Sequence, residues 1–332
     1  MLNGATDACN VASSAACTGI FTRSQALWIA AISNAAGALI AVFILNTNIA
    51  KIIGKGIVDS NAVSLQTIIA AMVGIIGWAA FAWLRGLPIS KSHSLVGALC
   101  GAAFASKGME ALIPSGLVRI AIGFLVGPIG GFTAGYLAGV AMKWLSSKPW
   151  RWVKMWLGDL DYISQTRPGQ IGWGIWITQG VTTTSVGLAH GANDATKFMG
   201  ILGLVLYKGG ATSEFVVTNE IVLLCALVMA FGTLAGGWRI TERVGTKMVN
   251  QQDKPLRGIS AETASGTTIN AFTFFDVPAS TTLVFVPTMA GANYVASKRD
   301  VSRRQILLFV AAWIYTFPIC FGIGWAMASL IL

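Results

Sequence analysis

Long apolar windows follow one another along nearly the whole chain, at roughly 24–46, 62–84, 88–105, 117–142, 170–189, 190–206, 216–238, 258–275, 278–296 and 306–331. Several reach the ~20 residues that a helix needs to cross the hydrocarbon core of a bilayer. A soluble domain carries about 25% charged residues. Here only 11% of 332 residues are charged and 55% are hydrophobic, with no polar stretch long enough for a separate soluble domain. The pattern predicts an all-α polytopic membrane protein.

The formal net charge is +10. Its placement decides its meaning, because basic residues gather between apolar windows, as in "KPWRWVK" (148–154) and "SKRDVSRR" (297–304). Cytoplasmic loops look like this under the positive-inside rule, so the expected partner is membrane lipid and not nucleic acid. Cys9, Cys17, Cys100, Cys225 and Cys320 form no CxxC and mostly fall inside apolar windows. They read as buried packing residues. The start lacks the basic-then-apolar layout of a cleavable signal peptide.

One stretch departs from the pattern. Residues 143–169, beginning "KWLSSKPWRWVKMW", are basic and tryptophan-rich and suit an interfacial connector. It separates a first membrane repeat, 1–142, from a second, 170–332. "GATDA" at 4–8 returns as "GANDA" at 191–195, an offset of 187. "PISKSHSLVGALCG" at 88–101 returns as "PASTTLVFVPTMAG" at 278–291, an offset of 190. Paired halves with interrupted segments point to a secondary transporter with its site at the bilayer midplane.

The repeated motifs hold the residues with chemistry. An Asp at the centre of a membrane helix costs about 2.5–3.5 kcal/mol on insertion scales, so Asp7 and Asp194 are expected to pair or to line a wet cavity. A lone aspartate could simply cap a helix; duplication argues for a site. Ser90, Ser92 and His93 follow Pro88, and Ser280, Thr281 and Thr282 follow Pro278. Proline suits the first helical turn, which would set both hydroxyl clusters on half-helix N-termini, where free N–H groups bind anions. His93 and His190 are the only histidines, and either could carry a proton or donate to an anion.

Lys197 lies three residues beyond Asp194, on the same helical side, and can neutralise it or add positive charge to an anion path. Asn10 holds the matching place beyond Asp7 and is a candidate cation ligand. Glu262, in "RGISAETASG", reads as intramembrane, either binding a coupling ion or bonding two helices. Asn34 is a weaker candidate. No dedicated metal site is expected, since no HExxH and no sulfur partner stand at ligand spacing.

The ordered set of motifs resembles the inorganic phosphate transporter (PiT) family, and within it the bacterial low-affinity permeases. The residues concerned are "NGATDACNVA" (3–12), "IAKIIGKGIV" (49–58), "GLPISKSHSLVGALCGAA" (86–103), "HGANDATKFMGI" (190–201), "RGISAE" and "VPASTT". The resemblance implies two inverted repeats with broken or re-entrant helices, about 10–11 membrane segments, an inner-membrane location and a scaffold that supports a homodimer. It implies a substrate and cation site at Asp7, Asn10, Ser90, Ser92, His93, Asn193, Asp194, Ser280, Thr281 and Thr282, with Glu262 matching the family's membrane glutamate. The implied activity is symport of inorganic phosphate with a proton or sodium, or as a metal–phosphate complex, without a bound cofactor. Sulfate or another tetrahedral oxyanion is the alternative cargo.

Three departures stand out. Ala5 and Thr6 replace an aromatic and a histidine before Asp7. Leu283 and Pro287 stand where a histidine and a small residue are usual. The chain also begins almost at the first signature, with nothing matching a leading transmembrane stretch.

Overall fold

The computed structural model describes residues 1–45, 48–148, 150–157, 172–250 and 254–332. Much of the connector, 158–171 with residue 149, therefore lies outside the described residues. The first half runs α1 (Leu2–Asp7), α2 (Cys9–Cys17), α3 (Arg23–Phe43), α4 (Ile49–Lys55), α5 (Leu65–Arg85), α6 (Lys91–Lys107) and α7 (Pro114–Ser146). A short α8 (Arg151–Leu157) leads toward α9 (Trp173–Lys208), α10 (Asn219–Ala235), α11 (Trp238–Glu242), α12 (Pro255–Phe274), α13 (Thr281–Ala296) and α14 (Arg303–Ile331).

Among the described residues, α3, α5, α7 and α14 are each long and apolar enough to cross a membrane. A fifth span arises if α10 and the Trp238–Met248 segment count as one element bent by 66°. The other helices are shorter or carry polar residues that turn inward. The protein is a multi-pass membrane protein, all α. The windows at 170–189 and 190–206 are not two segments. They form the single 36-residue α9, which runs unbroken through His190–Lys197.

The repeat continues well beyond the two motifs. Ser90 and Ser280 are both N-caps, accepting from the backbone N–H of His93 and Leu283. An antiparallel bridge Val58–Leu112 is matched by Val249–Val301. The flanking bonds match too: Asp59 N–H to Ala111 O recurs as Asn250 N–H to Asp300 O, and Ile113 N–H to Ile57 O as Ser302 N–H to Met248 O. Two corners are thus built alike, one per half. The second is tied further by Arg257 Nη1 to Asp300 Oδ2 at 2.6 Å.

The helices at these corners show that the halves are inverted. α6 leaves Pro88, whose carbonyl accepts from Trp313 Nε1 at 2.7 Å, and runs along α14 until Ala98 reaches Gly324. α13 leaves Pro278 and Ala279 beside Gly123 and runs along α7 until Thr288 reaches Gly135. Each half-helix therefore packs on the long helix of the other half. α7 starts at the first corner, where Gly116 meets the Gly56 carbonyl, and ends beside the far end of α13. α14 starts at the second corner and ends beside the far end of α6. The two long helices run in opposite directions, as a two-fold axis in the membrane plane requires.

Close packing of backbones makes this exchange tight. A Cβ on Gly97 would lie 2.7 Å from the Phe317 carbonyl oxygen, and one on Gly131 would lie 2.5 Å from that of Val284. In lipid, helices associate through van der Waals contact, so small residues mark the contact lines. The five cysteines are all buried.

Candidate functional site

Two helix tips meet at the centre of the molecule. Ser92 Oγ, in the first turn of α6, donates to the Ala279 carbonyl at 3.3 Å, just before α13. Each tip is fixed by its serine cap, so unbonded N–H groups of both half-helices converge on one region. Helix N-termini of this kind carry partial positive charge and favour anions.

Two buried aspartates lie beside the tips, each paired with an ammonium. Lys197 Nζ is 2.7 Å from Asp194 Oδ1, and Lys91 Nζ is 3.1 Å from Asp7 Oδ1. Thr281 Oγ1 donates to Asp194 Oδ2 at 3.1 Å. Lys197 also reaches Ser92 Oγ at 2.8 Å and the Ala279 carbonyl, crossing from the second half to the first. Asn10 Nδ2 crosses the other way, to Thr282 Oγ1 at 2.9 Å and Thr281 Oγ1 at 3.4 Å. All of these side chains are buried.

The network obeys the two-fold relation. Asp7 matches Asp194, Ser92 matches Thr282, Asn10 matches Lys197 and Lys91 matches Thr281. The first tip residue touches the aspartate of its own half in both cases, and the residue three beyond the aspartate touches the tip of the other half in both cases. Only the charges are permuted. The first half takes its ammonium from the tip and the second takes it from the long helix.

His190 joins the aspartates: its Nε2 is 3.5 Å from Asp194 Oδ2, while Nδ1 bonds Asn34 Oδ1 at 3.0 Å. One ligand atom each from Asp7, His190 and Asp194 falls within 4.8 Å of the others. Among the described residues, Asp7 Oδ2 and His190 Nε2 have no hydrogen-bond partner. Two carboxylate oxygens and an imidazole in this space are chemically fit to hold a cation.

Asp7, Asn10, Ser92, Asp194, Lys197, Thr281 and Thr282 thus come together, with Ser90 and Ser280 capping the two tips. Three expected site residues point elsewhere. The His93 ring bonds Ser90 Oγ and stacks on Phe124 at 3.5 Å. Asn193 donates to Thr273 Oγ1 at 3.1 Å. Glu262 occupies its own polar niche, accepting from Gln179 Nε2 and Thr182 Oγ1 at 2.6 Å each and from Thr183 Oγ1 at 3.1 Å. Thr183 and Asp194 are separated by roughly 16 Å of α9 at its ordinary rise per residue. Among the described residues, no ammonium or guanidinium pairs with Glu262.

Sequence reasoning missed Lys91 and the niche of Gln179, Thr182 and Thr183. Lys91 had one visible signal, a lysine inside the repeated "PISKSHS" motif. It also lies at the end of an apolar-walled cavity of about 460 Å³, between the first residues, α5, α9 and α10.

Inverted halves, exchanged half-helices and a buried polar centre between them define a secondary-transporter fold. The model of the phosphate transporter family matches residues 3–324, and the chain belongs to that family. It is similar to a probable low-affinity inorganic phosphate transporter of Rhizobium meliloti (strain 1021), 32% identical over 320 residues that cover 96% of this chain and 88% of the other. A protein of the same description from Mycobacterium tuberculosis (strain ATCC 25618 / H37Rv) is 32% identical over 324 residues, covering 97% and 72%. Among solved structures, the sodium-dependent phosphate transporter superposes with a TM-score of 0.82 at 18% identity, covering 100% of this chain and 96% of that one. That likeness concerns the fold.

Proposed function

We propose that this chain carries inorganic phosphate across the membrane by secondary active symport, with substrate held between the tips of α6 and α13. The observation that carries this reading is the two-fold-related centre of two aspartates, two ammoniums and hydroxyl-capped helix ends. Its formal charges cancel, so an entering phosphate must bring cations to offset its own charge in a poor solvent for ions. Helix N–H groups, Ser90, Ser92, Ser280, Thr281, Thr282 and the lysines supply donors for its oxygens. The accompanying cation is a proton, sodium or a metal ion carried with the phosphate.

Residues 1–142 and 170–332, joined by 143–169, would rock about the tips to open one side and then the other. The second corner would face the cytoplasm, because Lys254, Arg257, Lys298 and Arg299 stand at it, as the positive-inside rule asks. Sulfate has no observation in its favour. Purified protein in proteoliposomes should accumulate radiolabelled phosphate when a proton or sodium gradient is imposed. Unlabelled phosphate should compete and sulfate should not. Folded protein without gradient-dependent uptake refutes the reading.

Glu262 is the buried carboxylate left for a mobile coupling ion, because Asp7 and Asp194 already have tethered partners. Glu262→Gln keeps the shape of the side chain and removes its charge. Gradient-driven accumulation should fall at least tenfold, the effect of about 1.4 kcal/mol. Exchange of internal for external phosphate should persist. Unchanged gradient dependence would return Glu262 to a helix-bonding role.

A further inference from the structure

We infer that Lys91 is a tethered counter-ion occupying the seat that a mobile cation would take beside Asp7, so that it lowers the number of cations carried per phosphate by one. This rests on the symport reading above and concerns its stoichiometry.

The two-fold relation supplies the comparison. Thr281 holds the seat in the second half that Lys91 holds in the first, and both touch their aspartates at 3.1 Å. A threonine hydroxyl beside a carboxylate leaves oxygen lone pairs for a hard cation. An ammonium offers only donors and its own positive charge. Lys91 is buried, and its Nζ fills the space beside Asp7 Oδ1 where such an ion would bind. Asn10, two-fold mate of Lys197, is neutral and lies three residues beyond Asp7, bonded to Thr281 and Thr282. The first half is therefore a cation seat closed by a side chain.

Burial sharpens the consequence. A carboxylate enclosed away from water needs a positive partner. If Lys91 is shortened to the hydroxyl of its two-fold mate, Asp7 must recruit one from solution. That ion enters with substrate and leaves with it, whereas Lys91 stays.

The test is Lys91→Thr in proteoliposomes held at zero membrane potential under a tenfold gradient of the coupling cation. One extra cation per phosphate raises the limiting phosphate accumulation about tenfold over the parent, since a tenfold gradient contributes about 1.4 kcal/mol per ion. The cation dependence of initial uptake should steepen by one order. Equal limiting accumulation in variant and parent overturns the inference, whatever the change in rate.

If Lys91→Thr does not fold, the double variant Asp7→Asn with Lys91→Thr removes both charges. It should keep the cation order of the parent, and a loss of one order would show that Asp7 carried a mobile ion despite Lys91. Absence of driven uptake by the unmodified protein would sink the transport reading instead, so the two failures are distinct.

Discussion

Asp194→Asn should cut gradient-driven phosphate uptake by about two orders of magnitude while leaving protein in the membrane. Asp194 Oδ1 holds Lys197 Nζ at 2.7 Å, and Oδ2 accepts from Thr281 at 3.1 Å. Removing one partner of a buried pair costs about 3–5 kcal/mol, because the remaining charge is left uncompensated. The lower end of that range already corresponds to a factor above 100. Lys197 also binds Ser92 and the Ala279 carbonyl, so an unbalanced ammonium disturbs both helix tips together. Adding Lys197→Asn copies the neutral Asn10 of the first half and should restore thermal stability. It should not restore uptake, since the site then lacks a charge pair. The readouts are labelled phosphate uptake per inserted protein and the midpoint of thermal unfolding. Uptake by Asp194→Asn within a few-fold of the parent would remove Asp194 from the site.

Much of this centre was legible in the sequence because intramembrane charge is costly and therefore conspicuous. Asp7, Asp194, Lys197 and the hydroxyls after Pro88 and Pro278 stand out against apolar windows, and their recurrence shows that they belong together. Hidden from the sequence was the way each group is satisfied. Aspartate inside an apolar run can mean a helix break, yet α9 passes through Asp194 without interruption. Its carboxylate is satisfied laterally, by Lys197 and Thr281, and the capping falls to Ser90 and Ser280. Lys91 gave no such sign of its role, because its partner, Asp7, lies 84 positions away. Glu262 was visible, but Gln179, Thr182 and Thr183 around it look like ordinary packing residues of a membrane helix until α9 and α12 are laid side by side.

The inverted exchange of half-helices makes a second, sharper demand at glycine. Gly101→Val should prevent α6 from docking on α14, and little folded protein should survive detergent extraction. A Cβ at Gly101 would fall on the Phe321 carbonyl oxygen, with the Phe321 Cα and carbonyl carbon close behind. These are backbone atoms of a helix and cannot swing aside as a flexible side chain can. Ordinary overpacking costs about 1–3 kcal/mol, and a backbone collision along a helix contact line lies at or beyond the top of that range. The two-fold relation predicts the same outcome for Gly291→Val on α13, where the obstacle is the Phe132 carbonyl of α7. Among the described residues, nothing lies within 4 Å of a Cβ built on Gly322, one residue from Phe321 on α14. Gly322→Ala should leave stability unchanged or raise it by up to about 1 kcal/mol through helix propensity. Fluorescence-detected size exclusion, before and after heating, separates the three variants. A monodisperse, heat-resistant Gly101→Val would mean that α6 and α14 do not approach as closely as the inverted packing requires.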